Sequence, residues 1–185
     1  MKIIYTKDKE FKTEFENILK RAKSDIKGVS KIVENIIDEI VEDGNEALKR
    51  HIEKFDKWIV KSDDELLISQ DSMKKAYETL DESLKKSLHI AYERIKAYHE
   101  KQLPKSWIDF EENGSILGQK VTAVDRAGLY IPGGKAAYPS SLLMNAIPAK
   151  VAGVKEIVVC TPTPNNEVNE LLLAACHLCK VSKVY

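Results

Sequence analysis

The 185-residue chain balances 29 Lys and Arg against 29 Asp and Glu, with 43% apolar and 31% charged residues. That balance, without a basic run of five, gives no field for nucleic acid or an acidic membrane surface, and no apolar stretch reaches the ~18 residues of a membrane-spanning helix. Three cysteines, an odd number, argue against a disulfide framework and suit a reducing cytoplasm.

Met1–Thr6 is too short and too soon charged for a signal peptide. Lys2–Tyr5 reads as a short edge strand. Phe11, Phe15, Ile18, Leu19 and Ala22 then recur at helical spacing. Gly28 punctuates, and Val29, Ile32, Val33, Ile36, Ile37, Ile40 and Val41 form a second apolar stripe. Asp43-Gly44-Asn45 ends or kinks that helix, and Ala47, Leu48, His51, Ile52 and Phe55 continue helically. Leu66-Leu67-Ile68 is too short to assign by period. Ser69 is the expected N-cap of a helix from Gln70 to about Leu80, and Asp81 caps the next, which Pro104 ends. Trp107–Phe110 alternates at period two, Asn113-Gly114 signals a hairpin, and Ser115–Val124 supplies the return strand.

From here the chemistry of the pattern changes. Leu129–Ile131 is a buried-strand run that Pro132-Gly133-Gly134 breaks, giving a loop with unusual freedom of φ. Pro139-Ser140-Ser141 opens an apolar helix through Val151, Gly153 closes it, and Glu156–Cys160 is a second strand stopped by Thr161-Pro162. Strand, helix and strand predict a parallel βαβ unit with a right-handed crossover. Asn165-Asn166 caps a helix from Glu167 to about Cys179, and Val181–Tyr185 opens a third strand. The expected fold is therefore α/β: an incomplete Rossmann-like parallel βαβαβ unit over residues 128–185. A helical region with a β-hairpin precedes it over residues 1–127. A third strand should lead onward, since its edge otherwise lies open, so the chain reads as cut short.

Ligands of such sheets sit outside the carboxyl ends of the strands, where Gly133-Gly134 and Thr161-Pro162 both fall. Gly133-Gly134 matches neither G-x-G-x-x-G nor a P-loop. A tight turn is its ordinary reading; the functional one is a cofactor lying across the loop. Tyr130, at the strand end, is the nearest aromatic for a base or ribose, with plain strand packing as its ordinary reading. Cys176 and Cys179 share a helix face at metal-ligand spacing, with Cys160 and His177 the only obvious further ligands. Without a second C-x-x-C they read as buried core thiols, and no structural metal is expected. His51, His89 and His99 stand singly on predicted helices, as core-edge or surface residues.

The string Gly128-Leu129-Tyr130-Ile131-Pro132-Gly133-Gly134 strongly resembles histidinol dehydrogenase. So do Ala137–Ser141, Leu143–Val154, Ile157–Val159 and Thr161-Pro162. Upstream, Asp43–Leu48, Lys54–Asp56 and Tyr98–Gln102 carry the same resemblance, which thus covers essentially the whole chain. The resemblance implies a zinc-dependent, cytoplasmic homodimer that oxidises L-histidinol to L-histidine with two NAD⁺, the last step of histidine biosynthesis. It implies Rossmann-like domains similar to those of aldehyde dehydrogenases, and an NAD contact at Tyr130, with Gly133 and Gly134 close by. The family's zinc ligands and catalytic Glu-His pair correspond to no residue here. The chain resembles the N-terminal portion of the enzyme and is expected to be inactive alone. Another aldehyde-dehydrogenase-like oxidoreductase, or a non-enzymatic nucleotide- or partner-binding α/β module, stays open.

Overall fold

The structure, a computed structural model, describes residues 3–133 and 138–185, with the backbone alone for residues 21–27. The chain divides into two compact units, residues 1–52 and 53–185. In the first unit, helix α1 runs unbroken from Phe11 to Asp43. The two expected helical stripes are therefore one helix, and Gly28 does not interrupt it. Nothing crowds Gly28 within 4 Å, and a glycine inside a helix costs only about 1 kcal/mol. The break comes at Gly44, where φ is 61° and the N–H donates to the Ile40 carbonyl. That φ is one glycine adopts without a Cβ penalty. Helix α2, Asn45–Asp56, follows. The expected edge strand is a correction. Ile3–Tyr5 forms no strand; the Tyr5 N–H donates to Asp8 Oδ2 at 3.1 Å and the Asp8 N–H returns to the Tyr5 carbonyl at 3.0 Å. Lys2 lies outside the described residues.

The second unit is mixed α/β. Helix α3, Gln70–Thr79, starts where Ser69 accepts from the Ser72 N–H, and α4, Glu82–Glu100, where Asp81 accepts from the Ser83 N–H. Strands β1, Trp107–Phe110, and β2, Ile116–Gln119, pair antiparallel around the Asn113-Gly114 turn, with Trp107 opposite Gln119. Gly114 takes φ +86° there, and the Ser115 N–H donates to Asn113 Oδ1 at 2.8 Å.

Strand β3, Arg126–Tyr130, leads to α5, Pro139–Val151, and then to β4, Glu156–Cys160. Helix α6, Glu170–Leu178, leads to the short β5, Lys183–Val184. The sheet order is β3-β4-β5, all parallel. Its edge beyond β5 is covered at one point, because Ile68 bridges antiparallel to Val184 through a 2.9 Å bond to the Val184 carbonyl. The apolar run at 66–68 thus ends as a cap on the sheet.

α6 begins later than expected. Asn165 and Asn166 sit in a 3-10 turn with φ of 58° and 60°, conformations that asparagine tolerates. Asn169 is the true N-cap, its Oδ1 accepting from the Leu172 N–H.

The core lies on one face of this sheet. Ile131, Ile157, Val159 and Val184 from the sheet pack with Leu142, Ile147, Leu172 and Cys176 of α5 and α6, and with Met73 and Leu88 of α3 and α4. α3 packs on α6 and α4 on α5, so these helices belong to the sheet's own unit. Alternate residues point the other way. Arg126, Gly128, Tyr130 and Cys160 are exposed on that second face, which the described residues of this unit leave uncovered.

Candidate functional site

The carboxyl edge of the sheet is built from the ends of β3 and β4. Tyr130 stands opposite Cys160 in the parallel register, so both side chains lie on the uncovered face. Tyr130 is 70% exposed. One residue on, the pleat turns inward: Ile131 is buried, and its N–H donates to the Cys160 carbonyl at 2.9 Å. Thr161 likewise turns toward the helices, its own N–H donating to the Tyr185 carbonyl at 2.9 Å.

Gly133 closes this edge from above. A Cβ placed on it would lie 2.7 Å from the Pro162 carbonyl oxygen, 3.1 Å from Thr161 Oγ1 and 3.2 Å from Pro162 Cγ. At Gly133 the expectation of unusual φ is corrected, because it is not among the glycines with positive φ. Close approach to the 161–162 corner is what requires a glycine. The space left by the missing side chain is filled by the chain itself. Gly134 lies outside the described residues.

Beneath Gly133, Thr161 is 8% exposed and its hydroxyl has no hydrogen-bond partner among the described residues. α5, the crossover helix that follows β3, has Pro139 in its first turn and no side-chain cap. The Ser141 and Leu142 N–H groups both reach back to the Tyr138 carbonyl, at 3.1 and 3.3 Å. Helix N-termini carry partial positive charge. The edge thus offers an exposed aromatic ring, a buried hydroxyl and a helix start, a set suited to a ligand combining flat rings with phosphate.

The other sequence candidates fall elsewhere. Cys176 and Cys179 are buried in the core of α6. Burial pushes both thiols up to about 12, with Cys179 adding to the effect on Cys176 and Lys150 opposing it at Cys179. They are protonated near neutrality and poor metal ligands. His177 turns to Tyr77, ring centroids 5.2 Å apart. No group of three or more His, Cys, Asp or Glu side chains able to hold a metal is found among the described residues. The donor set does not fit zinc.

Two single histidines have partners that sequence spacing hides. His51 Nε2 lies 3.1 Å from Glu39 Oε2, and His89 Nε2 lies 2.7 Å from the Tyr77 hydroxyl. Both contacts cross between helices. His99 meets the neighbouring Tyr98 edge-on at 5.2 Å. Sequence reasoning placed Thr161 at the ligand edge without giving it a role; its burial without a partner is visible only in three dimensions. A second concavity, about 440 Å³, lies on the hairpin between Trp107, Ile108, Ile116 and Leu117. The polar Ser106, Gln119 and Lys120 also line it.

A family model described as histidinol dehydrogenase matches residues 19–185. The chain is 67% identical over 180 residues to the histidinol dehydrogenase of Sulfurimonas denitrificans, covering 97% of this chain and 42% of that protein. It is 59% identical over all 185 residues to that of Helicobacter hepaticus, again 42% of the relative. Its fold is similar to the crystal structure of histidinol dehydrogenase from Elizabethkingia anophelis, with TM-score 0.78 and 27% identity. That match covers 85% of this chain and 36% of the other. The chain spans about two fifths of the length of the curated relatives it matches, corresponding to their N-terminal part. No described helix is long and apolar enough to cross a membrane.

Proposed function

The chain belongs to the histidinol dehydrogenase family, and from that premise we propose that it supplies one wall of the NAD site of an L-histidinol dehydrogenase. The reaction is the oxidation of L-histidinol to L-histidine by two NAD⁺, the last step of histidine biosynthesis, in the cytoplasm. The observation that carries the reading is Tyr130, exposed at the carboxyl end of a parallel strand beside the Gly133–Thr161 closure.

Tyr130 offers its ring to the adenine or ribose of the cofactor, where an aromatic contact is worth about 1 kcal/mol. By the family resemblance Gly133 and Gly134 lie close to the cofactor; the missing Cβ of Gly133 itself serves the close approach to Pro162. The N-terminus of α5 favours the pyrophosphate charge. Bound NAD⁺ supplies the hydride acceptor. Proton abstraction and substrate placement require side chains within hydrogen-bond reach of histidinol. The family resemblance assigns those groups and the zinc ligands to the part of the relatives that this chain does not span. We therefore read residues 128–185 as the start of the NAD-associated domain, after the helical part and hairpin of residues 1–127. Homodimer assembly belongs to the same proposal; its support is the exposed apolar stripe Ile32, Val33, Ile37 and Val41 of α1.

The test is an NADH-absorbance assay with histidinol, NAD⁺ and zinc. The 185-residue chain and the same chain joined to the remainder of the Sulfurimonas denitrificans relative are compared. The joined protein is expected to turn over and the chain alone is not. Turnover by the chain alone at a similar rate refutes the division of labour.

A further inference from the structure

The turn of the hairpin has no part in the cofactor reading. We propose that Asn113-Gly114 is a self-modification site. The Gly114 backbone nitrogen attacks the Asn113 side-chain amide, ammonia leaves, and water opens the resulting ring to an isoaspartyl link that undoes the hairpin.

The chain has eight asparagines, and Asn113 alone is followed by glycine. Attack on Cγ requires the backbone nitrogen of the next residue to reach it, and a side chain on that residue crowds the approach; glycine has none. The other seven sit differently. Asn17 and Asn35 lie within α1 and Asn145 within α5, where helical hydrogen bonds hold the backbone. Asn145 also donates to the Ser141 carbonyl at 2.7 Å. Asn45 opens α2 and Asn169 caps α6. Asn165 and Asn166 precede asparagine and glutamate.

Asn113 is exposed, in neither helix nor strand. The Ser115 N–H donates to its Oδ1 at 2.8 Å. That bond draws electron density from Cγ and steadies the charge that develops on the oxygen during attack. The Gly114 N–H donates to the Glu111 carbonyl at 3.0 Å, which holds the nucleophile back while the turn is closed. Closure is weak. Every residue of β1 and β2 is exposed, and a two-stranded hairpin with neither face buried is marginal in water. Opening of the turn frees the nitrogen.

The bond from the Gly114 nitrogen to Cγ forms as the bond from Cγ to Nδ2 breaks. The proton lost by the Gly114 nitrogen departs with the amide as ammonia. Water then opens the cyclic imide. Where it adds to the former main-chain carbonyl of Asn113, that carbonyl is released as a carboxylate and the chain runs on through Cβ and Cγ. The backbone gains one methylene. The register that sets Phe110 opposite Ile116 is then lost, and the new carboxylate repels its sequence neighbours Glu111 and Glu112.

The test incubates the 185-residue chain at mildly alkaline pH. Each asparagine is followed by peptide mass spectrometry, with isoaspartyl links detected by enzymatic methylation. Conversion is expected at Asn113 ahead of the other seven, and faster as pH rises, because the attacking nitrogen must lose its proton. A synthetic peptide of residues 109–117 is the open-chain reference. Gly114→Ala is expected to slow conversion about tenfold by crowding the attack. That expectation holds whether or not the variant keeps its hairpin, since an open turn alone would speed the reaction. In the isoaspartyl form, nuclear Overhauser contacts between Phe110 and Ile116 are expected to vanish. No conversion in the intact chain once the peptide has converted fully overturns the site. Conversion spread evenly over the asparagines, or undiminished in Gly114→Ala, overturns the route. Contacts between Phe110 and Ile116 that persist in the isoaspartyl form overturn the structural consequence.

Discussion

Gly133 is the residue at which the loop after β3 meets the loop after β4. Its Gly133→Ala variant places a methyl group 2.7 Å from the backbone oxygen of Pro162. A carbonyl cannot rotate aside as a side chain can, so the two loops must separate. A loss of about 1–3 kcal/mol is expected, read from the urea midpoint; an unmoved midpoint would show that this corner is loosely packed. Tyr130→Ala, by contrast, removes an exposed ring and leaves that midpoint nearly unchanged. Sequence made both residues legible as an edge pair, since a strand run stopped by Pro-Gly-Gly marks where a parallel strand ends. It did not reveal why glycine is needed. The reason is the approach of residues 161–162, some thirty positions downstream, and not a left-handed φ.

The buried thiols give a second prediction at this scale. Burial raises Cys176 and Cys179 from 9.0 in the reference state to about 12. Between those values the unfolded chain has lost protons that the folded chain retains. The unfolded state then binds fewer protons, so stability falls as pH rises through that window and is unaffected by these groups below it. Urea midpoints of wild type and of a Cys176→Ala, Cys179→Ala variant, measured from pH 8 upward, should converge as pH rises. Parallel curves would mean that the thiols titrate normally.

Elements differ in how openly the sequence declares them. β4 was legible to the residue because EIVVC is a short β-branched run between a glycine turn and Thr-Pro. The hairpin was legible from Asn113-Gly114. α1 was not: the glycine at position 28 suggests two helices, yet the helix passes through it with nothing packed against the missing side chain. α6 illustrates competing caps. Asn165, Asn166 and Asn169 are each plausible, and only backbone geometry selects Asn169, since the first two are held in left-handed conformations. Asn169→Ala should therefore cost about 1 kcal/mol, and Asn166→Gly, which removes the side chain without straining the left-handed φ of 60°, should cost less. Equal losses in chemical denaturation would place the cap in the wrong residue.

In the unit formed by residues 53–185, the α/β arrangement is one-sided. Helices α3 to α6 cover one face of the sheet, and Tyr130 and Cys160 stand exposed on the other. The sheet's β5 edge gains cover through Ile68. Fold class was legible from the switch of hydrophobic period. Membership of α3 and α4 in the sheet's core was not, because the apolar stripes of a helix do not say which partner they meet.

Whether the carboxyl edge is the nucleotide site is decided most directly by amide chemical shifts. Titrating NAD⁺ into the isotopically labelled 185-residue chain should perturb Tyr130 to Gly133, Thr161 to Thr163 and the start of α5. It should leave the hairpin concavity at Trp107, Ile108, Ile116 and Leu117 unmoved. Shifts confined to the hairpin, with the edge of β3 and β4 silent, would contradict a dinucleotide site at Tyr130.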